Sequence, residues 1–210
     1  MSANMAASGS NDGDSPDLSK LEEKLRDSLR RKPGARLAGE TFDSANHAAV
    51  CMILRPSDSK GSAELLLMKR AVTERDPWSG QMAFPGGRSR PNESIVETVR
   101  REVLEETKIN VMDSELLGPL DEIVPGNLSI RVTPFVTLKP KSIDAVISRS
   151  EMVDHFWIPL SYFVNKENSS IYTFSRNEIN FQVPAFVYQG KHVIWGMTRR
   201  IIEDFIARIQ

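Results

Sequence analysis

The chain has 210 residues, 40% of them apolar and 26% charged, a balance that suits one soluble globular domain with appendages rather than two full domains. Its 27 basic and 28 acidic residues leave a net charge of -1, so composition gives no electrostatic ground for a nucleic-acid or anionic-membrane partner. A single cysteine, Cys51, excludes an internal disulfide scaffold.

Residues 1–14 are mainly Ser, Asn, Asp, Gly and Ala, too poor in apolar surface to offset chain entropy, and are expected to form a disordered tail. No basic segment followed by an apolar run occurs there, so no signal peptide is expected. The C-terminal Ala207-Arg208-Ile209-Gln210 matches no retention or peroxisomal tag. Residues 15–39 read as an N-terminal helix and linker. Ser15-Pro16 starts the helix, Leu18, Leu21, Leu25 and Leu29 form one apolar stripe, and Lys32-Pro33-Gly34 stops it. That stripe packs on the domain or on a partner subunit, which leaves a homodimer open.

Residues 40–210 read as the main domain. Ala48–Leu54 and Glu64–Met68 are apolar strands around the turn-rich 56–61, as in a hairpin. Cys51 sits in the first of them as a core residue. That run is the longest apolar stretch, far short of the roughly 20 residues a membrane helix needs, and a reducing, cytoplasmic setting is expected. A short strand at Met82–Phe84 leads into Pro85-Gly86-Gly87, and a periodic helix covers about Ser94 to Lys108. Further strands are expected at Leu116–Val124, Ile130–Leu138, Val153–Trp157, Tyr172–Phe174 and Ile179–Val187, with a last helix near Thr198–Ile209. Strands on both sides of a central helix predict an α/β fold, a mixed sheet between helical layers. His47, His155 and His192 show no metal-ligand spacing.

The chemistry concentrates in the central helix. At about 100° per residue, Glu102, Glu105 and Glu106 share one arc of it, bordering the apolar arc of Ile95, Val96, Val99 and Val103. Like charges one turn apart repel, more so when desolvated. Arg101 can relieve part of this through Glu97 and Glu105. Clustered oxygen ligands beside a core favour Mg2+ or Mn2+, whereas the same carboxylates on a plain surface helix would merely be solvated. The preceding Gly86-Gly87 lets backbone approach a metal or phosphate. A continuous helix would set Glu93 opposite Glu102, so the chain must turn between them for both to serve one site.

Residues 87–109, GRSRPNESIVETVRREVLEETKI, resemble the Nudix box G-x5-E-x7-R-E-U-x-E-E-x-G-U, where U is apolar. Lys108 stands where the pattern has its second glycine, a residue that lets the chain leave the helix at positive φ; for a residue with Cβ that conformation costs roughly 1–2 kcal/mol. Asn110 tolerates it and is the expected exit. The resemblance implies the Nudix α/β/α sandwich. It also implies metal ligation by Glu102, Glu105, Glu106 and the Gly86 carbonyl, with Arg101 orienting the carboxylates and Glu93 supporting the site. Glu151, in a loop before Phe156–Leu160, is a candidate base, with an exposed loop glutamate as the plain alternative. Leu66-Leu67-Met68-Lys69-Arg70, Arg75, Gly80 and Phe84–Gly87, together with Ile194–Thr198, are similar to the coenzyme A pyrophosphatase motif. This chain carries four residues, 76–79, where that motif has three. Arg70 and Arg75 suit phosphate recognition through their guanidinium forks. The expected activity is hydrolysis of a nucleoside diphosphate derivative, coenzyme A first. ADP-ribose, dinucleotides or modified nucleoside triphosphates are the alternatives, and a non-catalytic nucleotide-binding module the distant one.

Overall fold

The computed structural model describes residues 18–30, 46–57, 63–73, 78–113, 115–126, 129–139, 141–148, 150–176 and 178–210. The expected tail, the start and stop of the first helix and Arg75 lie outside them. Helix α1 (Leu18–Arg30) precedes the hairpin of β1 (His47–Pro56) and β2 (Ala63–Arg70). Then come β3 (Met82–Ala83), β4 (Gly86–Arg88), α2 (Ile95–Thr107), β5 (Leu116–Pro119), β6 (Arg131–Leu138) and β7 (Met152–Pro159). The chain finishes with α3 (Leu160–Val164), β8 (Ser169–Arg176), β9 (Ile179–Tyr188), β10 (His192–Trp195) and α4 (Gly196–Ile209).

The geometry of the main sheet follows from a divergence of the hairpin. Strands β1 and β2 pair only at Leu54–Pro56 with Ala63–Leu65, then separate. Strand β3 fills the opening on β2, through Met68 and Lys69, and β4 fills it on β1, through Ala48, Ala49 and Val50. Phe84-Pro85 therefore crosses the gap, and the Cys51 N–H donates to Pro85 O at 2.8 Å. Strand β6 runs parallel to β1 over eight residue pairs, β5 lies outside it, and β7 lies antiparallel along β2.

Side-chain alternation along these strands sorts the core into two layers. Met52, Leu54, Leu65, Leu67, Val136 and Leu138 face a cluster with α1, α3 and α4, through Leu21, Leu25, Phe163, Ile201, Ile202 and Phe205. Ala49, Cys51, Ile53, Leu66 and Phe135 face α2, through Ile95, Val99 and Val103. Helices thus cover both faces of a mixed sheet, the α/β layering expected from the sequence. Cys51 is fully buried and its thiol is pushed far above the ordinary range by burial.

Three expectations are corrected. The strands expected at Tyr172–Phe174 and Ile179–Val187 do not join the main sheet; with β10 they form a separate three-stranded antiparallel sheet. The strand expected over Leu116–Val124 ends at Pro119, leaving one bridge at Ile123 to Val132. Helix α2 ends with Lys108 itself at φ 59°, its N–H donating to Leu104 O, so the exit is at Lys108 rather than Asn110. Among the described residues, no helix is long and apolar enough to cross a membrane.

Candidate active site

Two glycines shape the turn below the acidic helix. Gly86 has φ 151°, and a Cβ there would lie 2.2 Å from Ala49 O, so only glycine allows β4 to sit this close to β1. A Cβ on Gly87 would lie 2.6 Å from the Glu102 carboxyl carbon. The turn is thus pressed against the side chains of α2, and the Gly86 N–H donates to Glu106 Oε2 at 2.9 Å.

Helix α2 begins at a capping box. Glu97 N–H donates to Ser94 Oγ at 3.2 Å and Ser94 N–H to Glu97 Oε2 at 2.7 Å. Glu97 is thereby committed to the helix end and is not the partner of Arg101. Instead the chain bends before Ser94 and returns Glu93 to the helix. Arg101 Nε donates to Glu93 Oε1 at 2.6 Å and Nη2 to Glu93 Oε2 at 2.9 Å, a bidentate pair with both side chains mostly buried. The Arg101 hydrogen bonds hold the Glu93 carboxyl down to about 2, helped by the Arg90 N–H and the Thr98 hydroxyl. Arg101 Nη1 also reaches Glu102 Oε1 at 2.7 Å and Glu105 Oε2 at 3.2 Å, and Nη2 donates to Arg88 O. One guanidinium therefore ties the turn, Glu93 and two carboxylates of α2 together, and its own pKa rises through the Glu93 hydrogen bond.

The three carboxylates meet different surroundings. Glu105 is half-exposed and also bound by Arg90 Nη2 at 3.1 Å. Glu102 is mostly buried; burial raises its pKa, against the pull of Arg101. Glu106 is 3% exposed. Burial lifts its carboxyl to about 8, with the Glu102 and Glu151 charges adding and the Gly86 N–H and Arg70 opposing. Glu151 N–H donates to Ser148 O and Ser148 N–H to Glu106 O, which ties the Glu151 segment to the helix, and the Arg70 charge acts on Glu106 from the end of β2. Glu151 and Arg70 both lie at the β2–β7 edge, where Ala71 N–H donates to Glu151 O at 2.8 Å.

Glu93, Arg101, Glu102, Glu105, Glu106, Gly86, Glu151 and Arg70 are thus gathered in one region. Arg90 was not expected there, because nothing in its spacing shows that it returns to Glu105. His155 and His192 lie elsewhere: His155 Nε2 is 3.0 Å from Asp144 Oδ1, and His192 packs on Phe156 with ring centroids 4.2 Å apart. Among the described residues, no three acidic or histidine side chains are drawn into one coordination sphere. Glu102 and Glu105 are turned toward arginines and Glu106 toward Gly86. The donor set is nonetheless oxygen-rich, and a buried carboxylate raised by burial is one that a divalent cation would stabilise.

Comparison with known proteins agrees with this architecture. The NUDIX domain family model matches residues 45–175. The uncharacterized Nudix hydrolase NudL of Photorhabdus laumondii subsp. laumondii is 34% identical over 171 residues, covering 80% of this chain and 87% of that protein. NudL of Yersinia enterocolitica is 32% identical over 172 residues, covering 81% and 85%. Two crystal structures share the fold at lower identity. A MutT/nudix family protein from Enterococcus faecalis has TM-score 0.56 at 15% identity, over 89% of this chain and 73% of that one. The NUDIX domain of Shewanella oneidensis NrtR, complexed with ADP ribose, has TM-score 0.54 at 14% identity, over 88% and 97%. The chain belongs to the Nudix hydrolase family.

Proposed function

We propose that the protein hydrolyses the diphosphate of coenzyme A, giving adenosine 3′,5′-bisphosphate and 4′-phosphopantetheine. The observation that carries the hydrolytic part is the bank of Glu102, Glu105 and buried Glu106, faced by the Gly86 turn, with Glu151 and Arg70 alongside. Glu102, Glu105, Glu106 and the Gly86 carbonyl would hold Mg2+ or Mn2+. Such an ion supplies charge neutralisation at the diphosphate oxygens and makes water more acidic.

The chain's own groups supply the rest. Arg101 would release Glu102 and Glu105 to the cation while keeping its bidentate grip on Glu93, so the turn stays in place as the charges rearrange. Glu151 would accept the proton of the attacking water at a carboxylate oxygen as the new P–O bond forms and the bridging P–O bond breaks. Arg70 would pair with phosphate oxygens.

The coenzyme A assignment is supported by the similarity of Leu66–Gly87 and Ile194–Thr198 to that subfamily's motif, with Arg70 or Arg75 contacting the 3′-phosphate. A charge-assisted contact of this kind is worth about 1.5–3 kcal/mol, or roughly ten- to a hundredfold in kcat/KM. A chromatographic substrate panel with magnesium tests it. Dephospho-coenzyme A is expected to be poorer than coenzyme A by that factor, and Arg70→Ala or Arg75→Ala to narrow the gap. Faster cleavage of ADP-ribose or a dinucleotide overturns the substrate while leaving the hydrolytic site standing.

A further inference from the structure

We propose that Asp144 is a positioning residue: it latches the connection between β6 and β7 onto the sheet and so holds Glu151 against the carboxylates of α2. This rests on the reading of Glu151 as the base and goes beyond it by naming what fixes that residue.

The connection, described over 141–148 and 150–151, contains no helix or strand, so outward contacts must set its shape. Two fall on α2. Val146 N–H donates to Thr107 O at 2.8 Å and Ser148 N–H to Glu106 O at 2.9 Å, satisfying carbonyls that the helix end leaves without intrahelical partners. Beyond them, Glu151 N–H and Met152 N–H both turn back to Ser148 O. The segment that carries Glu151 is therefore joined to the backbone of Glu106 itself.

In its middle, one carboxylate oxygen gathers several contacts. Asp144 Oδ1 lies 3.0 Å from His155 Nε2, accepts from Trp157 Nε1 at 3.0 Å and from Ala145 N–H at 2.9 Å, and lies 3.9 Å from Arg55 Nη1. His155 and Trp157 are alternate residues of β7, opposite Met68 and Leu66, so they share the sheet face that α2 covers. Arg55 stacks 4.1 Å over the Trp157 ring and donates to Ile143 O at 2.6 Å. The neighbouring Ala145 is buried in the α2-side core. Asp144 is itself 71% exposed, so its carboxylate makes these bonds without a large desolvation cost.

The test compares Asp144→Ala, Asp144→Asn, Glu151→Gln and the double variant Asp144→Ala/Glu151→Gln. Coenzyme A hydrolysis is assayed with magnesium, and amide hydrogen exchange is followed over 141–152. Asp144→Ala is expected to lower kcat about ten- to a hundredfold with KM within about twofold, the scale of a misplaced catalytic group. Asp144→Asn, which keeps an acceptor oxygen, recovers most of that loss. In the Glu151→Gln background Asp144→Ala costs nothing further, because the residue it acts through is gone. Exchange at the Val146 and Ser148 amides rises about tenfold in Asp144→Ala as the middle of the connection is released. An undiminished kcat loss in the Glu151→Gln background overturns the positioning role, and unchanged exchange at Val146 and Ser148 overturns the latch. Full activity in Glu151→Gln overturns the base assignment, with the exchange measurement still deciding the latch.

Discussion

Glu106 sets burial against charge. Its carboxyl is raised from 4.5 to about 8, so the folded state prefers it protonated. The stability this contributes is complete below about pH 4.5 and is lost as pH rises toward about 8. Glu93, lowered from 4.5 to about 2, works the other way: its contribution is present above about 4.5 and lost as pH falls. Between them the two groups favour a maximum at about pH 4.5 in the metal-free protein. Thermal melts should show the metal-free wild type losing more stability between pH 6 and 8 than Glu106→Gln, whose amide has no charge to bury. Equal slopes would mean that Glu106 is not strained by its burial. With magnesium and substrate, Glu106→Gln and Glu102→Gln are each expected to cut turnover at least about a hundredfold. Full activity in either variant would remove that residue from the site. The carboxylates were legible in the sequence because helical spacing fixes which residues share a face. Arg101's bond to Glu93 was not, because spacing says nothing about a chain that bends and returns from outside the helix.

At the scale of the element, α2 shows how far periodicity reaches. Its span and buried face follow from the spacing of Ile95, Val99 and Val103, and Ser94 closes its start through the capping box. Removing that cap with Ser94→Ala should cost about 1 kcal/mol in denaturant unfolding. Its end was misjudged because a lysine at φ 59° is locally unfavourable. Tertiary bonds override that preference: Val146 and Ser148 hold the last carbonyls, so the chain must leave at Lys108. Lys108→Gly relieves roughly 1–2 kcal/mol of strain and loses about 0.5–1 kcal/mol to unfolded-chain freedom. A net gain between zero and about 1.5 kcal/mol follows, read as a Tm rise of up to about 6 °C. A lower Tm would show that the lysine side chain, which donates to Glu105 O at 3.3 Å, outweighs the backbone strain.

Across the whole molecule, a mixed sheet between helical layers was readable from strands placed on both sides of a central helix, but the division into two sheets was not. The apolar pattern of β9 says which residues pair inward and nothing about which neighbour the strand chooses. Helix α1 belongs to the main core: Leu21 and Leu25 are fully buried in it, and Lys24 Nζ donates to Ile209 O at the far end of the chain. Leu25→Ala is therefore expected to cost about 2–5 kcal/mol of global stability, and a cost below about 1 kcal/mol would show α1 to be only an appendage.

A comparable span joins Thr198, at the start of α4, to the approach of the Gly86 turn: its buried hydroxyl donates to Met82 O at 3.0 Å across 116 residues. Proteins are synthesised from the N-terminus at about 5–20 residues per second. The turn and the acidic helix therefore leave the ribosome well before the residue that braces them. A nascent chain stalled before Trp195 would carry every acidic residue of the site and yet lack this brace. Released chains truncated at that point should give no measurable hydrolysis, and supplying residues 192–210 as a separate peptide should restore part of it. In this fold, a stretch made later reaches back to a site whose acidic residues were made well before it.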